Sequence, residues 1–260
     1  MVPSTFEIIK YLNDGQFESA YEELKNAASS KPDILIEIQS EFEKKIKEEF
    51  FEECIGCMHK LDEDMLTYLG RAVNVFLPAI SKKIDLFYSF SSTLKIDISN
   101  ELGKFKKIYE KNERSLIFNL GSVYSDLIIE GYNNCYSYNY FTQQDEILDD
   151  NIKSLERFSK LFNVGNKDAL AYLISLKEQK PSKKIVLEHY KKVISDISKE
   201  IKLLNELKET TSKEDWQEEG VKGRLNSIGL EHQLRFWRKK KTELEANIAS
   251  LESLIDIEKL

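Results

Sequence analysis

The sequence predicts an all-α protein: a helical bundle closed by a C-terminal antiparallel coiled-coil hairpin. Three observations predict it. Apolar side chains recur at steps of three and four from one end of the chain to the other. Only 4 prolines and 10 glycines interrupt 260 residues. Two long stretches near the end keep strict heptad spacing, Leu187, Tyr190, Ile194, Ile197, Ile201, Leu204 and then Leu230, Leu234, Trp237, Lys241, Leu244, Ile248, Leu251, Ile255, the pattern that holds one apolar seam on one side of a helix.

The chain opens on a helical hairpin over residues 4–29. Ser4 or Thr5 caps a helix with Phe6, Ile8, Ile9 and Leu12 inward; Asn13-Asp14-Gly15 turns the chain; a second helix carries Phe17, Ala20, Tyr21 and Leu24. Glycine ends a helix here because it takes the left-handed conformation at little cost. After Lys31-Pro32-Asp33, the face Ile34, Ile38, Phe42, Ile46, Phe50 marks a longer helix, its Pro and Asp suited to a first turn. A helix over Asp62 to about Phe90 uses Leu66, Leu69, Val73, Phe76 and Leu77, and Pro78 is expected to kink or end it. Residues 91–99 read as a Ser/Thr-rich loop. One helix through Ile96, Leu102, Phe105 and Tyr109 and another capped by Ser115 follow, and 131–145 reads either as a helical continuation or as a tyrosine-rich loop. Ile147 to Phe162 and Asp168 to Leu176 are helical, joined at Asn163-Val164-Gly165-Asn166, and Pro181-Ser182 opens the paired arm. The polar connection between its helices, Glu209 to Gly223, is too short to separate them far, so they are expected to fold back on each other within one chain, a parallel dimer being the alternative. Three domains are expected: an acidic N-terminal helical domain at 1–82, a middle bundle at 83–180 and the hairpin at 181–260.

Composition sets the compartment and excludes several functions. The longest uninterrupted apolar run, Val75 to Ile80, is far short of the roughly 20 residues a spanning helix needs. No basic start leads into an apolar core, and three cysteines make no disulfide framework, so a soluble, cytoplasmic protein is expected. Residues 1–70 carry 16 acids against 7 bases, which leaves about +2 for the rest of a chain whose net charge is −7. The acidic N-terminal part is poorly suited to nucleic acid.

Chemistry-bearing patterns are few. Cys54-Ile55-Gly56-Cys57 with His59 is a single Cys-x-x-Cys pair without the second pair a zinc site needs. Cys54 and Met58 extend the apolar face of Phe50 and Phe51, so core packing is the expected role. No phosphate-cradling glycine loop, His-Glu-x-x-His or Gly-x-Ser-x-Gly occurs; no catalysis, cofactor or metal is expected. Arg235-Phe236-Trp237-Arg238-Lys239-Lys240-Lys241 places five bases in seven positions. It reads as a solvated helical face, a contact for an acidic protein (the acidic N-terminal region of another copy among them), or a contact for nucleic acid through Arg235, Trp237, Arg238, Lys239 and Lys240. Tyr132, Tyr136, Tyr138 and Tyr140 crowd into nine residues, where burial between helices competes with a partner interface, tyrosine offering large area with a polar tip.

Two resemblances add a setting. Leu12-Asn13-Asp14-Gly15-Gln16-Phe17-Glu18-Ser19-Ala20 resembles the junction of a tetratricopeptide hairpin, present once and not repeated. Residues 8–80 are similar in layout to the effector-associated, death-domain-like adaptor domains of bacterial conflict systems. That likeness rests on the first hairpin, Gln39-Ser40-Glu41-Phe42, a turn at Gly56, and Arg71, Asn74 and Leu77; the acidic Glu48-Glu49-Phe50-Phe51-Glu52-Glu53 departs from the family's more basic middle helix. The resemblance implies homotypic docking and no catalysis, with Arg71 and Asn74 at the docking face, and a place in a bacterial defence (anti-phage) assembly. The expected function is therefore a non-enzymatic protein–protein interaction adaptor or accessory subunit, with Arg71, Asn74, Tyr136, Tyr138 and Tyr140 as partner contacts and with self-association open. The alternative is a nucleic-acid-associated accessory factor acting through Arg235–Lys241.

Overall fold

The structure is a computed structural model that describes residues 5–30, 33–56, 70–211 and 221–258, without the side chains of 34, 41, 70–76 and 221–227. Every regular element among the described residues is helical, in agreement with the all-α expectation. In order they are α1 (Thr5–Asn13), α2 (Phe17–Ser30), α3 (Asp33–Lys45), α4 (Gly70–Leu94), α5 (Ser99–Asn133), α6 (Tyr138–Phe162), α7 (Lys167–Leu176), α8 (Lys183–Thr210) and α9 (Val221–Ile257). Met58, Cys57, His59 and Trp216 lie outside the described residues.

The chain divides into two compact units. One comprises 1–125 with 145–178, the other 126–144 with 179–260. Within the first unit, aromatic side chains on either side of residue 82 pack on one another. Phe51 meets Phe87 and Phe105 at centroid distances of 5.9 and 4.9 Å, and Phe42 meets Phe90 at 5.7 Å.

In the first unit, α1 and α2 form the expected hairpin, with Ile8, Leu12, Ala20 and Leu24 wholly buried. Its turn is closed by Gly15 at φ 70, with Gln16 N–H donating to the Tyr11 carbonyl at 2.9 Å, the bond that ends a helix on a left-handed residue. Ile38, Phe42, Ile46, Phe50 and Cys54 follow α3 at steps of four, all but Phe50 at zero exposure and Phe50 at 1%. Each four-residue step overshoots an α-turn by about 40°, so a stripe this long would rotate off the core. A wide π-turn over Ile46–Phe50, where Phe51 N–H donates to the Ile46 carbonyl, interrupts the drift.

Two boundaries differ from the sequence reading. Helix α4 runs through Pro78 to Leu94, leaving only 95–98 as the loop where 91–99 was expected. Helix α5 runs unbroken through Ser115, where two helices were expected. Nothing in Lys111-Asn112-Glu113-Arg114 breaks a helix, and the polar interval there is occupied by a buried carboxylate. Glu113, 9% exposed, accepts from the Tyr109 hydroxyl at 3.0 Å and from Asn166 N–H at 3.2 Å. Asn166 in turn caps α7 by accepting from Ala169 N–H at 3.0 Å. Burial of the Tyr109 ring raises its phenol well above the ordinary range.

In the second unit, α8 and α9 run antiparallel. Lys183 pairs with Glu258 at one end, Lys191 with Glu252 at 2.8 Å further along, and Lys208 with Glu231 at the other end. Leu187, Tyr190, Ile197 and Leu204 of α8 are buried, as are Leu230, Leu234, Leu244, Leu251 and Ile255 of α9. Lys241 is partly exposed, its ammonium 3.9 Å from Glu245.

Candidate protein-docking surface

The tyrosine cluster resolves into a loop between two helix ends. Helix α5 stops at Asn133 because Cys135 takes φ 55, with Cys135 N–H donating to the Tyr132 carbonyl and Tyr136 N–H to the Gly131 carbonyl at 2.9 Å. The same closure operates at Gly15, yet here a cysteine holds the left-handed position that glycine fills most easily. Its side chain is buried, and that burial raises the thiol's pKa against the lowering effect of nearby Lys240. Gly131 is required for a different reason: a Cβ there would stand 2.7 Å from two ring carbons of Tyr140.

Three side chains from the arm fasten this loop. Lys240 donates to the Asn134 carbonyl at 3.2 Å, Asn247 to the Cys135 carbonyl at 2.9 Å, and the Tyr190 hydroxyl to the Tyr136 carbonyl. Three consecutive backbone carbonyls are thereby satisfied by side chains of α8 and α9, which leaves the tyrosine rings to face outward or pack on one another. Tyr136 is 37% exposed and lies edge-on to Tyr140 at 4.9 Å. Tyr140 contacts Phe141 at 5.9 Å, and Tyr138 contacts the same ring at 5.7 Å. The ammonium groups of Lys183 and Lys180 lie 5.6 and 5.9 Å from the centre of the Tyr138 ring, a cation–π arrangement that fixes its plane. Tyr132, by contrast, stacks on His189 at 4.0 Å and serves the packing of α5 against α8. Beside the loop, Tyr136, Tyr140, Gln143, Lys240, Glu243 and Asn247 line a notch of about 560 Å³.

The structure thus brings together Tyr136, Tyr140 and Lys240, which the sequence assigned to two separate candidate sites. The other bases of the run have local engagements: Arg238 donates to Asn205 at 3.2 Å, Lys239 lies 3.7 Å from Glu243, and Arg235 stands exposed. Trp237, partly buried, packs against Leu204, Leu230 and Leu234 and meets Phe236 edge-on at 5.1 Å. Arg71 and Asn74 lie in α4, and their side chains are outside those described. Sequence reasoning missed Asn247, Tyr190 and Gly131 as parts of this surface. Asn247 follows Lys240 by one heptad, so a polar pair repeating beside the apolar seam was the signal available for it.

A larger cleft of about 630 Å³ lies in the first unit, lined in part by Glu113, Ser159, Lys160, Asn163 and Lys167. Its one buried carboxylate is Glu113, already engaged by Tyr109 and Asn166. Among the described residues no group of three or more His, Cys, Asp or Glu side chains is placed to hold a metal ion, and no helix is long and apolar enough to cross a membrane. No protein-family model matches the chain, and neither a curated protein nor a solved structure matches it.

Proposed function

We propose that this chain is a non-enzymatic adaptor or accessory subunit whose second unit docks a protein partner. The observation that carries the reading is the tyrosine loop, fastened through three successive carbonyls to a stiff helix pair. Rigid amphipathic rings lose little conformational entropy on binding, and aromatic side chains seated around a concave centre are the common anchors of protein interfaces. Tyr136 and Tyr140 supply the rings, with Gln143 at the rim of the notch. With the ammonium groups of Lys180 and Lys183 beside the Tyr138 ring, the surface favours an acidic partner segment. The resemblance of residues 8–80 to effector-associated domains motivates a bacterial defence assembly as the setting.

The nucleic-acid alternative has less support, since Trp237 is packed in the seam and Arg238 and Lys240 are committed to contacts within the unit. Affinity capture with the intact chain and with Tyr136→Ser/Tyr140→Ser tests the proposal. A protein retained by the native chain and lost from the variant supports it; an identical set retained by both sinks it.

A further inference from the structure

We infer that the cleft of the first unit binds a small zwitterion, an amine that also carries an acidic group and an apolar side chain, with Glu113 receiving its ammonium. A carboxylate as buried as Glu113, 9% exposed, is ordinarily met by a cation. Glu113 is met only by neutral donors, the Tyr109 hydroxyl and Asn166 N–H, and both fall on Oε1. Among the described residues no Lys, Arg or His side chain pairs with it. Its Oε2 has no hydrogen-bond partner and is not sealed from solvent, and the side chain lines the cleft. Glutamine at 113 would serve Tyr109 and Asn166 equally well, so the contacts that hold the turn make no use of the negative charge.

The rest of the wall fits the same ligand. Ile117, Leu155 and Leu170 supply apolar surface, and the volume of about 630 Å³ is that of a small-molecule site. Glu156, Lys160 and Lys167 also line the cleft, so its charged side chains are two of each sign. Lys160 and Lys167 are exposed and make no ion pair among the described residues. A simple amine would meet both lysines as like charges, whereas an acidic group beside its ammonium makes partners of them. One wall is built in place: Gly165 brings its turn so close to α6 that a Cβ there would stand 2.9 Å from Ser159 Oγ, and Asn166 ties the same turn to α7 as its cap.

Isothermal titration of the intact chain with leucine, methionine and phenylalanine tests the inference, each compared with the amine that lacks its carboxylate and the acid that lacks its ammonium. The expected result is saturable one-to-one binding of at least one amino acid, weakened at least about tenfold when either charged group is missing. Glu113→Gln weakens it by at least about tenfold as well, with circular dichroism and the urea midpoint showing that the fold is kept. Lys160→Ala/Lys167→Ala, at exposed positions that do not threaten folding, narrows the preference for the amino acid over its amine. No binding of any of the three at millimolar concentration overturns the inference. So does an acid that binds as tightly as its amino acid, full affinity in a folded Glu113→Gln chain, or a preference that the lysine variant leaves intact. The tyrosine loop belongs to the other unit, so partner capture that persists without amino-acid binding sinks this inference alone.

Discussion

Replacing Tyr190 with phenylalanine isolates the fastening of the tyrosine loop. The ring is wholly buried, and phenylalanine keeps its volume, so packing between α8 and its neighbours is preserved. What disappears is the hydroxyl that donates to the Tyr136 carbonyl. A hydrogen bond of this kind contributes about 1 kcal/mol net, and a carbonyl left dry costs about 1–3 kcal/mol. Because Tyr136 is 37% exposed, water recovers part of that second term, and a loss of about 1–2 kcal/mol is expected. Urea denaturation followed by circular dichroism reads it as a lower midpoint at unchanged slope, since the surface exposed on unfolding does not alter. Amide exchange at 134–138 should accelerate more than exchange in the centre of α9. A stability change under about 0.3 kcal/mol, together with unaltered exchange in the loop, would refute the claim that Tyr190 holds it.

Three further outcomes follow from the same geometry. Lys95, exposed at φ 55 where α4 ends, should stabilise the chain by about 0.5–1 kcal/mol when changed to glycine, as measured by thermal unfolding. Gly121→Ala should cost about 1–3 kcal/mol, because its Cβ would stand 2.8 and 2.9 Å from side-chain atoms of Tyr172 and Leu176. Burial raises the phenols of Tyr109 and Tyr190 above their ordinary 10.0; the unfolded chain therefore releases these protons first, and stability is full below pH 10 and falls as pH rises above it. Tyr190→Phe should flatten that alkaline decline, which pH-dependent urea midpoints would reveal.

Much of the architecture was legible because helical burial writes a period into the sequence. Ile38, Phe42, Ile46 and Phe50 are buried and Gly15 turns the chain where the spacing of three and four puts them. Helix ends were harder to read. Ser115 looks like a cap, yet α5 passes through it, since a helix needs a breaker or a competing contact to stop and Glu113 contributes to the core instead. Pro78 costs α4 a backbone hydrogen bond, and the burial of Leu77, Ile80 and Ile84 around it outweighs that loss. The candidate surface was legible only in parts. Tyrosines 136, 138 and 140 and the basic run were visible as separate clusters, but their meeting depends on Cys135 in a left-handed conformation that no glycine announces. It also depends on Lys240 and Asn247 reaching carbonyls more than a hundred residues away, and periodicity within one helix carries no information about such partners.

The central claim, that the arm-held tyrosine loop docks a protein partner, is met most directly by quantitative capture. The intact chain and its Tyr136→Ser/Tyr140→Ser variant, matched for stability by urea midpoint, are compared for the amount of each co-purifying protein at equal bait. The account predicts one protein held in near-stoichiometric amount by the native chain and reduced at least about tenfold by the variant, the loss of roughly 1.4 kcal/mol that a hot-spot aromatic pair exceeds. Equal retention by both chains would contradict it.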